Sequence, residues 1–211
     1  MRTNLWDQSI RTFIEQAGSS SPTPGGGSVA ALVAALGASM TSMVGNLSQG
    51  EQYAAYQEKI HEALERMNEL TIIYEQLLAQ DMDCFEQYMA ALKLPRNSDS
   101  EKEARKQAMA QATIHAIDVP IRLIEACLDG MRYAKGIARF CNAHVLSDLG
   151  ISVILLEAAA QSALLTAEIN LVSLKDSALQ QKYSSAIAQL MRDIDVFKQE
   201  TMLTVRSRMG V

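Results

Sequence analysis

The feature that most constrains the fold is a stretch between Glu15 and Glu51 that contains no charged residue. It includes Ser-Pro-Thr-Pro-Gly-Gly-Gly-Ser (Ser21 to Ser28), followed by an apolar run rich in Ala and other small residues. Proline fixes φ and glycine adopts backbone angles that are closed to other residues, so we expect a turn of special geometry. Because Ser28 is a good N-cap residue, a buried helix is predicted from Ser28 to about Leu47.

The glycine turn in front of this helix is a candidate ligand site. The first N–H groups of a helix have no intrahelical acceptor, and glycine lets a ligand approach them closely. The candidate binding residues are Gly25, Gly26, Gly27 and Ser28. A flexible linker into a buried helix explains the same motif equally well. A nucleotide P-loop is excluded, since the Gly-Lys-Ser/Thr ending is absent.

Composition favours an all-α protein. The chain has 211 residues, only 5% aromatic residues and four prolines, and the alternation typical of strands hardly occurs. No linker or repeat is visible, so we predict one domain over residues 1–211, a helical bundle of about six to eight helices. The expected helices are Trp6 to Ala17, Ser28 to Leu47, Tyr53 to Leu92, Ser98 to Pro120, Ile121 to Ala143, Ser147 to Leu174 and Ser177 to Arg208.

Local signals define several of these boundaries. Ser98 and Glu101 form a capping box, which predicts a helix start. Pro120 is expected either to kink its helix or to make the chain restart there. Ser147 is expected to be the N-cap of the following helix, with Asp148 in its first turn.

Charge and cysteine content exclude several classes of partner. The formal net charge of −5 argues against nucleic acid and anionic membranes. The stretch from Val29 to Leu47 is long enough to span a bilayer, but its small and polar residues and its lack of flanking Lys or Arg favour a buried helix. Three cysteines without zinc or disulfide spacing favour a reducing, cytoplasmic location, and the three scattered histidines support no metal site.

Asp81 is the sharpest departure from the apolar pattern of its helix. It shares a helical face with Tyr74, Leu77, Leu78, Phe85 and Tyr88. Burial raises the pKa of a carboxyl group, and a general acid or base that works near neutral pH needs such an environment. A structural hydrogen bond to a neighbouring helix is an equally good interpretation.

Other polar residues lie where apolar ones are expected. Asn170 falls on the apolar stripe of its helix, so its amide needs partners on another helix or on a ligand. Asn142, Ser147 and Asp148 belong to a polar connection between two apolar helices, where capping by itself explains the last two.

Taken together, these segments resemble the cyclodeaminase/cyclohydrolase family of folate enzymes. The resemblance covers nearly the whole chain, although Cys84 and Cys141 replace a small residue and a glycine of the family pattern. It rests on Ser21-Pro-Thr-Pro-Gly-Gly-Gly-Ser-Val-Ala30, Met43-Val-Gly-Asn46, Asp81-Met-Asp-Cys-Phe85, Met89-Ala-Ala-Leu-Lys-Leu-Pro95, Asn142 with Ser147-Asp148, and Ile169-Asn170-Leu171.

The resemblance implies an all-helical homodimer that binds a tetrahydrofolate derivative near the dimer interface and needs no cofactor beyond this substrate. Asp81 is the implied catalytic residue. The implied substrate contacts are Gly25, Gly26, Gly27, Ser28, Asn142, Ser147, Asp148 and Asn170.

Two reactions fit the resemblance. A cyclodeaminase converts formimino-tetrahydrofolate to methenyl-tetrahydrofolate and releases ammonia, whereas a cyclohydrolase opens methenyl- to formyl-tetrahydrofolate. We expect the first, because the segment around Asp81 resembles the cyclodeaminases closely, and keep the second as the alternative, since the two substrates differ by one leaving group. A non-enzymatic folate-binding or adaptor protein also remains open, although an adaptor would not need the glycine loop.

Overall fold

Six α-helices make up most of the computed structural model, which describes residues 5–211. Three short 3₁₀ turns accompany them, one before the first helix and two between helices, and no strand occurs among the described residues, so the all-α prediction is confirmed. The helices are α1 (Ile10–Ala17), α2 (Gly26–Asn46), α3 (Gln57–Leu92), α4 (Asp99–Ile137), α5 (Leu146–Leu171) and α6 (Ser177–Met209), and the turns are Leu5–Asp7, Glu51–Tyr56 and Ala143–Val145.

The apolar helix α2 lies between α3 and α5, while α4 packs against α3, α5 and α6. Small residues such as Gly37 allow a close approach of α2 and α5. At their contact the Ser152 hydroxyl donates to the Gly37 carbonyl over 2.7 Å, and the Thr41 and Ser152 hydroxyls lie 2.7 Å apart. The polar groups inside this interface are therefore hydrogen-bonded, as burial requires.

Several predicted boundaries differ from those of the structure. The first helix begins at Ile10 rather than Trp6, because Ser9 is its N-cap and accepts from the Thr12 N–H over 3.1 Å. A 3₁₀ turn, Glu51–Tyr56, occupies the start of the segment that was expected to be helical from Tyr53. The capping box at Ser98 is confirmed.

Pro120 does not divide the chain into two helices, because α4 runs without interruption through this residue. Proline has no N–H, so the carbonyl four residues earlier, that of Ala116, lacks its usual intrahelical donor. The amide of Asn170 on α5 supplies one instead, since its Nδ2 donates to the Ala116 oxygen over 3.1 Å. Of the two alternatives for Pro120, the restart is thus wrong, and a neighbouring helix compensates for the missing bond.

Candidate active site

A cavity of about 450 Å³ lies where the N-terminal end of α2 meets α3, α4 and the C-terminal part of α5. Among the described residues, Asp81 is the only charged one in its lining. The lining residues are Pro22, Thr23, Gly25, Gly26, Gly27, Asp81, Cys84, Phe85, Tyr88, Ala116, Val119, Pro120, Thr166, Ile169, Asn170, Val172 and Ser173.

The Asp81 carboxylate is fixed through one of its two oxygens. The backbone N–H and the side-chain hydroxyl of Ser28 both donate to Oδ2, each over 2.8 Å. Oδ1 has no hydrogen-bond partner among residues 5–211. The half-buried carboxylate therefore has one oxygen committed to α2 and one, next to Gly27 of the cavity lining, without a hydrogen-bond partner among these residues.

Ser28 is not the N-cap that the sequence predicted. The helix begins at Gly26 with Gly25 as its N-cap, and Gly25 has no side chain to accept from the first turn. Asp81 takes this role from α3, because its carboxylate accepts from the Ser28 N–H in the first turn. The structural interpretation of Asp81 is thus confirmed, and it leaves room for a chemical role at Oδ1.

Gly27 makes this contact possible because it lacks a Cβ. A Cβ at this position would lie 2.1 Å from Oδ1 and 2.6 Å from Cγ of Asp81. The unusual backbone angles expected for the glycine turn do not occur, since positive φ is found only at Gly50 and Gly210 among the described glycines. Space for the carboxylate, rather than backbone conformation, explains the glycine.

Burial raises the pKa of Asp81 above its ordinary value. The two hydrogen bonds from Ser28, first from its hydroxyl and then from its N–H, act in the opposite direction because they stabilise the carboxylate. A carboxyl group with a raised pKa can both accept and return a proton during one reaction.

Asn170 lies in the same cavity, and its amide is oriented by the backbone around it. Nδ2 donates to the carbonyl of Ala116 on α4 and to that of Thr166 on its own helix, over 3.1 and 2.7 Å. These two bonds leave Oδ1 of Asn170 as an acceptor without a partner among residues 5–211. The amide is both a crosslink between helices and a polar group that a ligand can reach.

Asn142, Ser147 and Asp148 lie elsewhere. Asn142 donates from Nδ2 to the Leu47 carbonyl over 2.9 Å, at the C-terminal end of the 21-residue helix α2, about 30 Å from the glycine turn. Ser147 is not an N-cap, because α5 begins at Leu146 with Val145 before it, while Asp148 lies in the first turn as expected. Within one chain none of the three lines the Asp81 cavity, so their assignment as substrate contacts stays a prediction.

Two aromatic residues in the lining were visible in the sequence but were not assigned to the site. Phe85 and Tyr88 follow Asp81 by four and seven residues, and this spacing places all three on one face of α3. Ala116, Val119 and Thr166 carried no local signal, because only the packing of distant helices brings them to the cavity.

Cys84 also lines the cavity but is not a candidate nucleophile. Burial, helped by the nearby carboxylates of Asp81, Asp83 and Asp118, raises the pKa of its thiol to about 11. The thiol is therefore protonated near neutral pH, and only the thiolate is strongly nucleophilic. Across residues 5–211, no three His, Cys, Asp or Glu side chains come together in a way that could hold a metal ion.

Known proteins resemble this chain over most of its length. The sequence profile described as formiminotransferase-cyclodeaminase matches residues 9–189. A methenyltetrahydrofolate cyclohydrolase of Methylorubrum extorquens is 32% identical over 97% of this chain and 99% of its own length. The formimidoyltransferase-cyclodeaminase of Rattus norvegicus is 31% identical over 90% of this chain. The match covers only 35% of the rat protein, so the chain corresponds to about a third of that relative.

A solved structure agrees with the fold. The formiminotetrahydrofolate cyclodeaminase of Thermotoga maritima superposes with a TM-score of 0.86, covering 96% of this chain and 98% of that chain. Its sequence is 24% identical, so it supports the helical architecture and nothing finer.

The contact between Gly27 and Asp81 gives a stability prediction. Gly27→Ala should lower the free energy of unfolding by about 1–3 kcal/mol, the usual cost of overpacking, because the new methyl group displaces the carboxylate. Gly26→Ala is the matched control, since its Cβ meets nothing within 4 Å, and it should be neutral or slightly stabilising. Urea unfolding of both variants provides the comparison.

A double variant identifies the clashing group. In an Asp81→Ala background, Gly27→Ala should cost clearly less, because the carboxylate is gone. Equal costs in the two backgrounds would show that Gly27 is not required for the position of Asp81.

Proposed function

Since the chain belongs to the formiminotransferase-cyclodeaminase family, we propose that it is a one-carbon tetrahydrofolate enzyme that cyclises formimino-tetrahydrofolate and releases ammonia at the Asp81 cavity. One observation carries the assignment of the site. Among residues 5–211, Asp81 is the only charged residue of a cavity of about 450 Å³, and one of its oxygens has no hydrogen-bond partner while the other is anchored. This volume lies within the usual range for small-molecule sites.

The reaction needs one group that moves a proton between two nitrogens. The anilinic nitrogen of the protonated formimino substrate attacks the amidine carbon, which forms the new C–N bond of a tetrahedral intermediate. Asp81 accepts the proton from the attacking nitrogen through Oδ1 and gives it to the amino group. The bond from carbon to this amino group then breaks, ammonia leaves, and the methenyl cation remains.

The cavity also offers groups that can hold a folate. The N–H groups of Gly26 and Gly27 have no acceptor among the described residues, and glycine permits a ligand to approach them closely. Phe85 and Tyr88 provide aromatic surface next to Asp81 for the ring systems of the ligand. Oδ1 of Asn170 can accept from a ligand N–H.

The cyclohydrolase reaction is the second candidate, and the match to the Methylorubrum protein favours it. This relative is named for that activity, and it aligns with the present chain over 99% of its length. In this reaction Asp81 would take a proton from the attacking water and return it to the leaving nitrogen. The same carboxyl group and the same cavity therefore serve either reaction.

Assays with two substrates separate the candidates. Ammonia release from formimino-tetrahydrofolate identifies a cyclodeaminase, and loss of the methenyl chromophore of methenyl-tetrahydrofolate identifies a cyclohydrolase.

The variant Asp81→Asn keeps the shape of the side chain and can still accept from Ser28, but it cannot carry a proton. We expect a loss of about a hundred- to ten-thousand-fold in kcat, with folate binding retained.

Two results would contradict this assignment. Full activity of Asp81→Asn would remove the proposed role of the carboxyl group. A parent protein that is inactive on both substrates would favour the non-enzymatic alternative.

We further propose that the chain forms a homodimer through the exposed apolar surface of α2 and α5. These helices lie side by side, and α2 contains no charged residue. By length and composition, the segments Gly26–Asn46 and Ala143–Leu171 could each cross a membrane. Within the most apolar 18-residue stretch of each segment, 50% and 44% of the residues are buried in the fold. The exposed apolar residues on these two helices include Val29, Leu36, Ile151, Ile154, Leu165 and Ile169.

A second copy explains this surface better than lipid does. Exposed Ser39, Asn46 and Ser162 lie among the apolar side chains, and small hydroxyl and amide groups suit close packing of protein helices more than contact with hydrocarbon. Ile169 both lines the cavity and is 69% exposed, so an interface here would be continuous with the active site.

Light scattering tests the dimer. The parent should have twice the mass of the 23.1 kDa chain at micromolar concentration. Ile154→Glu, which puts a charge on the exposed face of α5, should give the monomer mass. Leu203→Glu on α6 is the matched control, because Leu203 is 72% exposed outside this surface, and it should remain dimeric. A monomeric parent would refute the proposal.

A further inference from the structure

Ser28 has no donor left for a ligand, which changes the role that the sequence suggested for it. Its side chain is fully buried, and Ser28 is not among the residues that line the cavity. Its N–H and its hydroxyl are both used by Oδ2 of Asp81. A substrate in the cavity therefore meets Asp81 and the neighbouring glycines rather than Ser28.

We propose that Ser28 is a positioning residue, which holds Oδ2 of Asp81 so that Oδ1 alone exchanges the proton with the substrate. A carboxylate oxygen has two lone pairs, and the two Ser28 donors occupy both lone pairs of Oδ2. Protonation of Oδ2 would break one of these bonds, whereas protonation of Oδ1 breaks none. This inference rests on the proposed role of Asp81 in folate chemistry.

The anchoring bonds also fix where the proton is delivered. Oδ1 lies directly over Gly27, where even a Cβ would come within 2.1 Å of it, so the carboxylate is held against the first turn of α2. If the carboxyl group could rotate, either oxygen could carry the proton, and the proton would reach the substrate from two different positions. With Oδ2 anchored, the attacking and leaving nitrogens meet the same oxygen, which favours transfer between them.

Other groups around Asp81 do not compete with Ser28 for control of its protonation. Helix α2 has no charged residue, and α4 and α5 contribute only uncharged residues to the cavity lining. On α3, the titratable residues of the lining are Cys84 and Tyr88, and the carboxylates of Asp83 and Asp118 act on Cys84 from beyond the cavity. The hydrogen bond from the Ser28 hydroxyl lowers the pKa of Asp81 more than any other group does.

Ser28→Ala tests the role of the hydroxyl, because it removes this donor and keeps the backbone N–H. The carboxylate loses stabilisation, so the acidic limb of the pH profile of kcat/KM should move to higher pH. We expect kcat to fall by about tenfold to a hundredfold, the value of a hydrogen bond to a charged group. KM should stay nearly constant, because Ser28 does not touch the substrate.

Two further variants control for packing. Ser28→Cys fills the position with a slightly larger side chain whose S–H is a weak donor, so its acidic limb should fall between those of the parent and Ser28→Ala. Thr204→Ala removes a hydroxyl on α6 that donates to the Glu200 carbonyl, away from the cavity and from the α2–α5 surface, and should leave the profile unchanged. Matching circular dichroism spectra verify that each variant is folded.

Carboxyl ¹³C NMR provides a readout that needs no activity. The Asp81 resonance is identified by its absence in Asp81→Asn, and its titration should move to higher pH in Ser28→Ala. If both the NMR titration and the acidic limb are unchanged in Ser28→Ala, or if KM rises while kcat does not change, the inference is wrong although the proposed function stands. Full activity of Asp81→Asn would overturn both.

Discussion

The contact between the Asp81 carboxylate and the first turn of α2 is the interaction on which the site depends. It satisfies a backbone N–H that Gly25 cannot cap, it joins α3 to the most apolar helix of the bundle, and it requires glycine at position 27. The same contact holds an ionisable group at the wall of a cavity. A structural cap and a candidate acid are therefore one residue, because the two carboxylate oxygens have different surroundings.

The opposite wall shows the same relation between structure and chemistry. Pro120 deprives the Ala116 carbonyl of its helical donor, and Asn170 restores one from α5. Once its Nδ2 is committed, the amide presents Oδ1 as a fixed acceptor. Polar residues that interrupt the apolar patterns of these helices thus satisfy backbone groups at helix crossings, and their remaining atoms are the ones that a ligand can use.

Periodicity predicted the helical class and selected Asp81, because both depend on residues close together in the sequence. The role of Ser28 was not predictable in this way, since its acceptor lies on another helix, 53 residues away in the chain. The sequence indicated that glycine was needed at the turn but suggested the wrong reason, because only the folded structure shows the carboxylate above Gly27. Asn142 and Asp148 were grouped with the site by resemblance, whereas within one chain they lie far from it.

A crystal structure of the protein with formyl-tetrahydrofolate tests most directly whether Asp81 is the proton-transferring group of a folate site. The account predicts that a nitrogen or oxygen atom bonded to the one-carbon centre lies within about 3 Å of Oδ1, the distance needed for proton transfer, while Oδ2 keeps both hydrogen bonds to Ser28. A folate bound at another surface, or one whose one-carbon group faces away from Asp81, would contradict it.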